Sequence, residues 1–316
     1  MFKYRWTETE EIKKLLSEIE ALKIIVTQYP PRPEVLESIR RHNLLKSAVF
    51  SARVENIPAE ITDPNIHKQL EVQNLLSAYR YLSSPQLPKA LSLTLISRLH
   101  LLVLKNLSVS PGRFRHEPWA IFNTAGVAVY LAPAHFSLPQ LMTQFVAYIG
   151  KLSTPVPITA AVAQFIFEKI HPFADGNGRV GRLISSYFLN SRGYRLGGLA
   201  VFEEYTDNHR DEYYQALTPD KDCTEFIAYF LRSLVESVHF SLSQITAHPI
   251  SRILPRRQEI LDIIRDHPLC SFDFIKRRFP TVASSTLHYD LQQLQKAKLI
   301  VKHGVSRGVV YSSTSS

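Results

Sequence analysis

The run His171-Pro-Phe-Ala-Asp-Gly-Asn-Gly-Arg-Val-Gly-Arg182 constrains this chain more than any other stretch. An apolar, helix-patterned segment from Thr159 to Ile170 leads into it. A second helix reads from about Asn177 to Asn190 and is stopped by Ser191-Arg-Gly193. Between the two, Gly176 and Gly178 let the backbone turn tightly and bare its N–H groups. The unpaired amides and the positive dipole end of the second helix then face the loop, which makes an anion site. Arg179 and Arg182 leave one helical face and both reach a polyphosphate bound there. Asp175 beside that anion is a hard oxygen ligand suited to Mg²⁺ bridging phosphates. His171, next to the phosphates, is placed as a general base.

The rest of the chain reads as mainly α. From Thr9 to about Tyr29 the residues Ile12, Leu15, Leu16, Ile19, Leu22 and Ile25 recur at threes and fours. Tyr29-Pro30-Pro31-Arg32-Pro33 ends that helix, because proline cannot continue the hydrogen-bond ladder. Further helical patterns cover 34–53, 71–82, 91–104, 138–150, 208–217 and 224–245. Trp119-Ala-Ile-Phe122 and Val127-Ala-Val-Tyr130 read as two short strands around Asn123-Thr-Ala-Gly126. The pattern breaks from His248 to Pro255. Helices over 256–266, 272–279 and 284–298 then precede an alternating run, 299–311, that turns near Gly304. Three helices closed by a hairpin is the order of a winged helix-turn-helix. The expected organisation is an N-terminal helical region over 1–85, a core over 86–246 and a winged unit over 251–316.

Charge separates these parts. Of a formal net charge of +9, residues 251–316 hold eleven Lys/Arg against five Asp/Glu, while the first 250 hold 26 against 23. A basic surplus concentrated in the C-terminal unit makes duplex DNA a candidate partner for it. Hydrophobic residues at 45% and charged residues at 21% exclude wholesale disorder. No apolar run approaches the ~20 residues that cross a bilayer. The charged start, MFKYRWTETEEIKKLL, lacks the apolar core of a signal peptide. Cys223 and Cys270 stand far apart, so no disulfide framework or cysteine metal site is indicated. The expectation is a cytoplasmic protein without a membrane partner.

At His171, Phe173, Asp175, Gly176, Asn177, Gly178, Arg179 and Arg182 the segment matches the signature of Fic-domain enzymes, and the chain resembles that family. The resemblance implies a Fic-type helical bundle with a small β-hairpin flap. It implies a protein adenylyltransferase, in which ATP supplies AMP to a Ser, Thr or Tyr hydroxyl of a target protein, or of the chain itself, and pyrophosphate leaves. Carried over, His171 takes the proton from the attacking hydroxyl and Asp175 holds Mg²⁺. The backbone of 176–178, with Asn177, cradles the α- and β-phosphates; Arg179 assists them and Arg182 grips the γ-phosphate. Phe173 anchors the loop from the core. The hairpin 119–130 stands where the family has its target-binding flap, which pairs with an extended target segment through the backbone. Tyr213-Tyr214 resembles the pair that lines the nucleotide pocket in relatives. Some relatives follow it with an asparagine against the ribose, whereas here Pro219-Asp-Lys-Asp222 stands there. The transferred group therefore stays open among AMP, UMP, phosphate and phosphocholine.

Ser51-Ala-Arg-Val-Glu-Asn56 resembles the family's inhibitory motif, with Ser51 and Glu55 on one helical face. By that resemblance Glu55 pairs with Arg182 and Ser51 bonds within the anion loop, so that ATP binds unproductively. In the winged unit, Ser284 to Lys296 reads as a recognition helix. Leu287, Leu291 and Leu294 are expected inward, and Ser285, His288, Tyr289, Gln292 and Lys296 outward. Lys302, His303 and Arg307 would meet phosphates, whereas Asp290 does not help DNA docking. Such units also form homodimers. The competing reading is a DNA-binding regulator whose Fic core senses a nucleotide.

Overall fold

The computed structural model describes residues 3–30, 33–63, 65–122, 128–247, 254–304 and 308–314. The expected turn of the hairpin at Asn123 to Gly126, most of the expected break between His248 and Pro255, and the wing residue Arg307 lie outside the described residues.

Helix α1 (Glu10–Gln28) starts where the Thr9 hydroxyl accepts the Ile12 N–H, and it buries Ile12, Ile19, Leu22 and Val26. Helix α2 (Pro33–Val54) follows the proline break, then α3 (Leu70–Leu82) and α4 (Leu93–Val103), the last capped by Ser92. Strands β1 (Ala120–Phe122) and β2 (Ala128–Leu131) pair antiparallel, with Ala120 opposite Leu131 and a register shift between Ile121 and Phe122. Helices α5 (Leu138–Gly150), α6 (Val156–Ile170) and α7 (Asn177–Ser191) come next. Then follow α8 (Phe202–Asn208), α9 (Arg210–Ala216) and α10 (Thr224–Ala247).

Helix α6 is buried almost all round, which suits its unbroken apolar run, and it packs on α5, α7 and α10. Phe145, Phe165, Phe167, Phe173, Phe202, Phe226 and Phe230 fill the core around it. Helix α6 begins at Val156, ahead of the expected Thr159. Pro157 needs no N–H partner in a first turn, so the proline opens the helix and does not delay it. The short helix α8 falls outside the expected helices and packs along α2.

A second core belongs to the C-terminal unit. Helices α11 (Pro255–Asp266), α12 (Phe272–Arg278) and α13 (Ser284–Lys296) enclose Ile260, Leu261, Ile264, Ile275, Leu287, Leu291 and Leu294. Strands β3 (Cys270–Ser271), β4 (Ile300–His303) and β5 (Val310–Ser313) form an antiparallel sheet in the order β3-β5-β4, so the expected hairpin gains a third short strand. Leu287, Leu291 and Leu294 point inward, and Ser285, His288, Tyr289, Gln292 and Lys296 are exposed. Asp290 is buried, held by Arg256 and by Arg257 Nε at 2.8 Å. The unit sits against α2. Arg41 on α2 donates to Glu259 of α11 at 2.8 Å and lies over the Phe279 ring, and His267 Nδ1 donates to the Thr62 carbonyl at 2.7 Å.

Candidate active site

Helix α6 ends on His171, whose φ of 48° and ψ of 61° turn the chain sharply into the loop. Gly176, at φ 77°, caps the start of α7, and the first intrahelical bond runs from Val180 N–H to the Gly176 carbonyl at 3.0 Å. The side chain of Asn177 folds back on the loop. Its Oδ1 accepts the Phe173 N–H at 2.9 Å and its Nδ2 donates to the Phe173 carbonyl at 2.8 Å. That side chain closes the loop, and the backbone at the opening of α7 is what it presents to an anion.

Two residues brace the loop from behind. The buried Arg115 donates to the carbonyls of His171 and Glu117, each at 2.8 Å, and to that of Pro133, while its own N–H bonds to the Pro172 carbonyl. His100 stacks on Phe173 with ring centroids 3.7 Å apart. Its Nδ1 accepts the Gly112 N–H at 2.7 Å, so the proton sits on Nε2 and is donated to the Asp175 carbonyl at 3.0 Å. Burial pushes the His100 pKa down to about 4, which keeps the ring in the neutral form this network requires.

The His171 ring stacks on Trp119, at the base of β1, with centroids 3.6 Å apart. Burial lowers its pKa to about 4, and a hydrogen bond to the Glu168 backbone works in the opposite direction. At neutral pH the imidazole is therefore neutral. One ring nitrogen is spent as a donor to the Glu168 carbonyl, and the other keeps a lone pair able to take a proton. Asp175 is 71% exposed in its side chain, and Arg179 Nη2 donates to its two oxygens at 2.9 and 2.8 Å. Among the described residues no three His, Cys, Asp or Glu side chains gather as a metal cluster. A single accessible carboxylate beside the opening amides of α7 nonetheless fits Mg²⁺, which keeps several waters and needs few protein ligands.

Arg182 is fully buried, and its Nε and Nη2 are engaged. Its Nε donates to Ser51 Oγ at 3.0 Å, and its Nη2 donates to the Ser51 carbonyl at 2.8 Å and to Glu55 Oε1 at 2.9 Å. Burial acts most strongly and lowers its pKa, but the charge and hydrogen bond of Glu55, with Tyr213 and Glu168, together outweigh burial and raise it. Glu55 arrives there through the end of α2. Asn56 takes a left-handed φ of 57°, its N–H bonds to the Arg53 carbonyl, and Ile57 N–H reaches the Ala52 carbonyl. This is a Schellman end, and it explains an asparagine after the glutamate. The Glu55 carboxylate lies directly on Gly178: a Cβ there would stand 2.1 Å from Oε1. Glu55 thus covers the opening turn of α7 while it holds Arg182.

The two candidate pocket tyrosines separate. Tyr213 is buried and its hydroxyl accepts from Gln164, whereas Tyr214 is half exposed and donates to the Val54 carbonyl, next to Glu55, at 3.1 Å. Behind α2, buried Glu203 accepts from Ser47 and Tyr79, and Arg195 bonds both Glu203 and Ser47. Asp207 pairs with Arg53 of α2 at 2.8 Å and with Arg210. His100, Arg115, Glu168, Arg195, Glu203 and Asp207 stand outside the motifs that the sequence offers. A polar residue within an apolar helical face, as with His100 and Glu168, is the signal that could have found some of them.

Residues 90–189 match the model of the Fic/DOC family. Over those residues the chain is similar to Fic domains. It is 28% identical over 228 residues to a protein adenylyltransferase Fic of Nematostella vectensis, a match covering 70% of this chain and 50% of that protein. It is 30% identical over 135 residues to a protein adenylyltransferase Fic of Drosophila melanogaster, covering 41% and 26%. The chain thus spans half the length, or less, of these curated relatives. A Fic family protein from Desulfovibrio desulfuricans has a similar structure over 98% of each chain, with a TM-score of 0.64 at 21% identity. Fic-1 from C. elegans aligns with a TM-score of 0.62 at 19% identity, over 75% of this chain and 74% of that one. The fold is a mainly helical Fic fold, and no described helix is long and apolar enough to cross a membrane.

Proposed function

We propose that this chain is a protein adenylyltransferase that moves AMP from ATP to a hydroxyl side chain of a target protein and of itself, and that Glu55 holds it inactive. The observation that carries this reading is the Glu55–Arg182 pair at 2.9 Å lying over Gly178, beside a neutral His171. In this reading the opening amides of α7 and Arg179 bind the phosphates, and Arg182 binds the terminal one once Glu55 has left. The target hydroxyl comes in beside the β1–β2 flap, and the free nitrogen of His171 takes its proton as the oxygen attacks the α-phosphorus. Pyrophosphate leaves against the charge of the arginines. Positioning and charge neutralisation, more than covalent help, are what this chemistry asks of the protein. Mg²⁺ on Asp175, when bound, would neutralise phosphate charge.

Three full-length proteins with α-labelled ATP, UTP and CTP test the reading: wild type, Glu55→Gly, and Glu55→Gly with His171→Ala. Label from ATP is expected on Glu55→Gly at least about tenfold faster than on wild type, and absent from the double variant; a loss of one general base is typically a 10²–10⁴-fold effect. Equal labelling of wild type and Glu55→Gly refutes the brake, and labelling without His171 refutes the base.

A second reading, compatible with the first, is DNA contact through residues 251–316. The exposed face of α13 and the withdrawal of Asp290 into ion pairs with Arg256 and Arg257 support it. Duplex DNA retarded by the full chain at low salt and released as salt rises is the expected result; no retardation at low salt refutes it.

A further inference from the structure

Two buried polar atoms at the seam of α6 and α7 have no hydrogen-bond partner among the described residues: Oε1 of Glu168 and Nη1 of Arg182. Oε1 rests against Gly181, where a Cβ would stand 2.5 Å away, one residue before Arg182. Each group acts electrostatically on the other. Leaving a buried donor and a buried acceptor unpaired costs stability, so the arrangement calls for a role in another state of the protein.

We propose that Glu168 is a positioning residue for Arg182: when Glu55 leaves, its carboxyl oxygen accepts Nη1–H and keeps the guanidinium aimed at a terminal phosphate. This rests on the assignment of Arg182 to the γ-phosphate above. The backbone carbonyl of the same residue already orients His171, so Glu168 addresses both ends of the triphosphate site.

Such a carboxyl must be uncharged. A neutral one steers the guanidinium and leaves its charge for phosphate; a carboxylate would form a full ion pair and set a second negative charge beside the nucleotide. The surroundings favour the neutral form. Burial first, then Glu55, push the Glu168 pKa up to about 8, against the opposing charges of Arg182 and Lys169. Tyr213 and Tyr214 of α9 and Tyr130 of β2 also face it, each kept protonated by burial. A terminal phosphate in place of Glu55 brings at least as much negative charge, so the carboxyl stays neutral with nucleotide bound.

The test is calorimetric binding of ATP and of ADP, each with Mg²⁺, to full-length Glu55→Gly and to the same protein with Glu168→Leu or Glu168→Gln. Leucine is expected to weaken ATP about tenfold and ADP less than about twofold, the scale of one charge-assisted hydrogen bond to the arginine. Glutamine, which keeps the acceptor, restores the ATP-to-ADP ratio. As pH rises the parent loses ATP affinity when Glu168 ionises, and the glutamine variant does not. Leucine that leaves the ratio unchanged, or glutamine that shows the same alkaline loss, overturns the proposal. If the leucine variant does not fold, the glutamine pH profile decides alone. The readout is binding, so absent AMP transfer by Glu55→Gly refutes the function proposed above while this result still stands or falls in the calorimeter.

Discussion

Gly178 occupies a position where a single carbon decides whether Glu55 stays. A Cβ there would meet Oε1 at 2.1 Å, and the far end of a flexible glutamate is what must yield. Gly178→Ala is therefore expected to displace Glu55 and leave Arg182 buried without its counter-charge. The cost of about 2 kcal/mol or more is expected to shrink when Glu55 is already glycine, a coupling that thermal melts of the four proteins measure. His100 carries a second prediction. Its pKa, pushed down to about 4 by burial, lies below the 6.5 of an unfolded histidine. The stability it confers is full above pH 6.5 and lost as pH falls toward 4. The stability of wild type relative to His100→Gln is thus expected to rise from about pH 4 to about 6.5 and stay level above, as read from melts across that range. At this scale the sequence showed His171, Asp175 and both arginines, because their chemistry follows from residue type and spacing. It did not show that the Asn177 side chain bonds to Phe173, since a loop's internal hydrogen bonds depend on its closed shape.

In the proposed function the end of α2 is the brake. Asn56 holds a left-handed conformation, which glycine tolerates and a β-branched residue does not. Asn56→Val is expected to cost about 1–2 kcal/mol and to speed self-labelling with AMP by moving Glu55, whereas Asn56→Gly changes both less. Chemical denaturation and the labelling assay check the pair. Long helices such as α1 and α10 were legible because several turns repeat one apolar stripe. Helix α8 was not, since seven residues give hardly two turns of pattern, yet it carries Glu203, Glu204 and Asp207, which hold α2 in place. Strand β3, two residues long, escaped for the same reason and is recognisable only beside β5.

Two hydrophobic cores meet along α2, so the helix whose end places Glu55 on Arg182 also carries the C-terminal unit. The order of helices in that unit was legible, but its docking was not, because Arg41 and Glu259 lie 218 residues apart and their pairing leaves no local pattern. Arg41→Ala is expected to quicken amide exchange in α11 about fivefold, since a partly exposed ion pair is worth about 1 kcal/mol; unchanged exchange would show that the pair does not hold the unit. The proposed chemistry depends on a triphosphate site at the start of α7 that Glu55 closes. A crystal of full-length Glu55→Gly soaked with ATP and Mg²⁺ measures this most directly. Phosphates are expected on the opening amides of α7, the terminal one on Arg182, and the α-phosphorus facing His171. A helix mouth without nucleotide, or Arg182 still turned to Ser51 with the phosphates elsewhere, would contradict it.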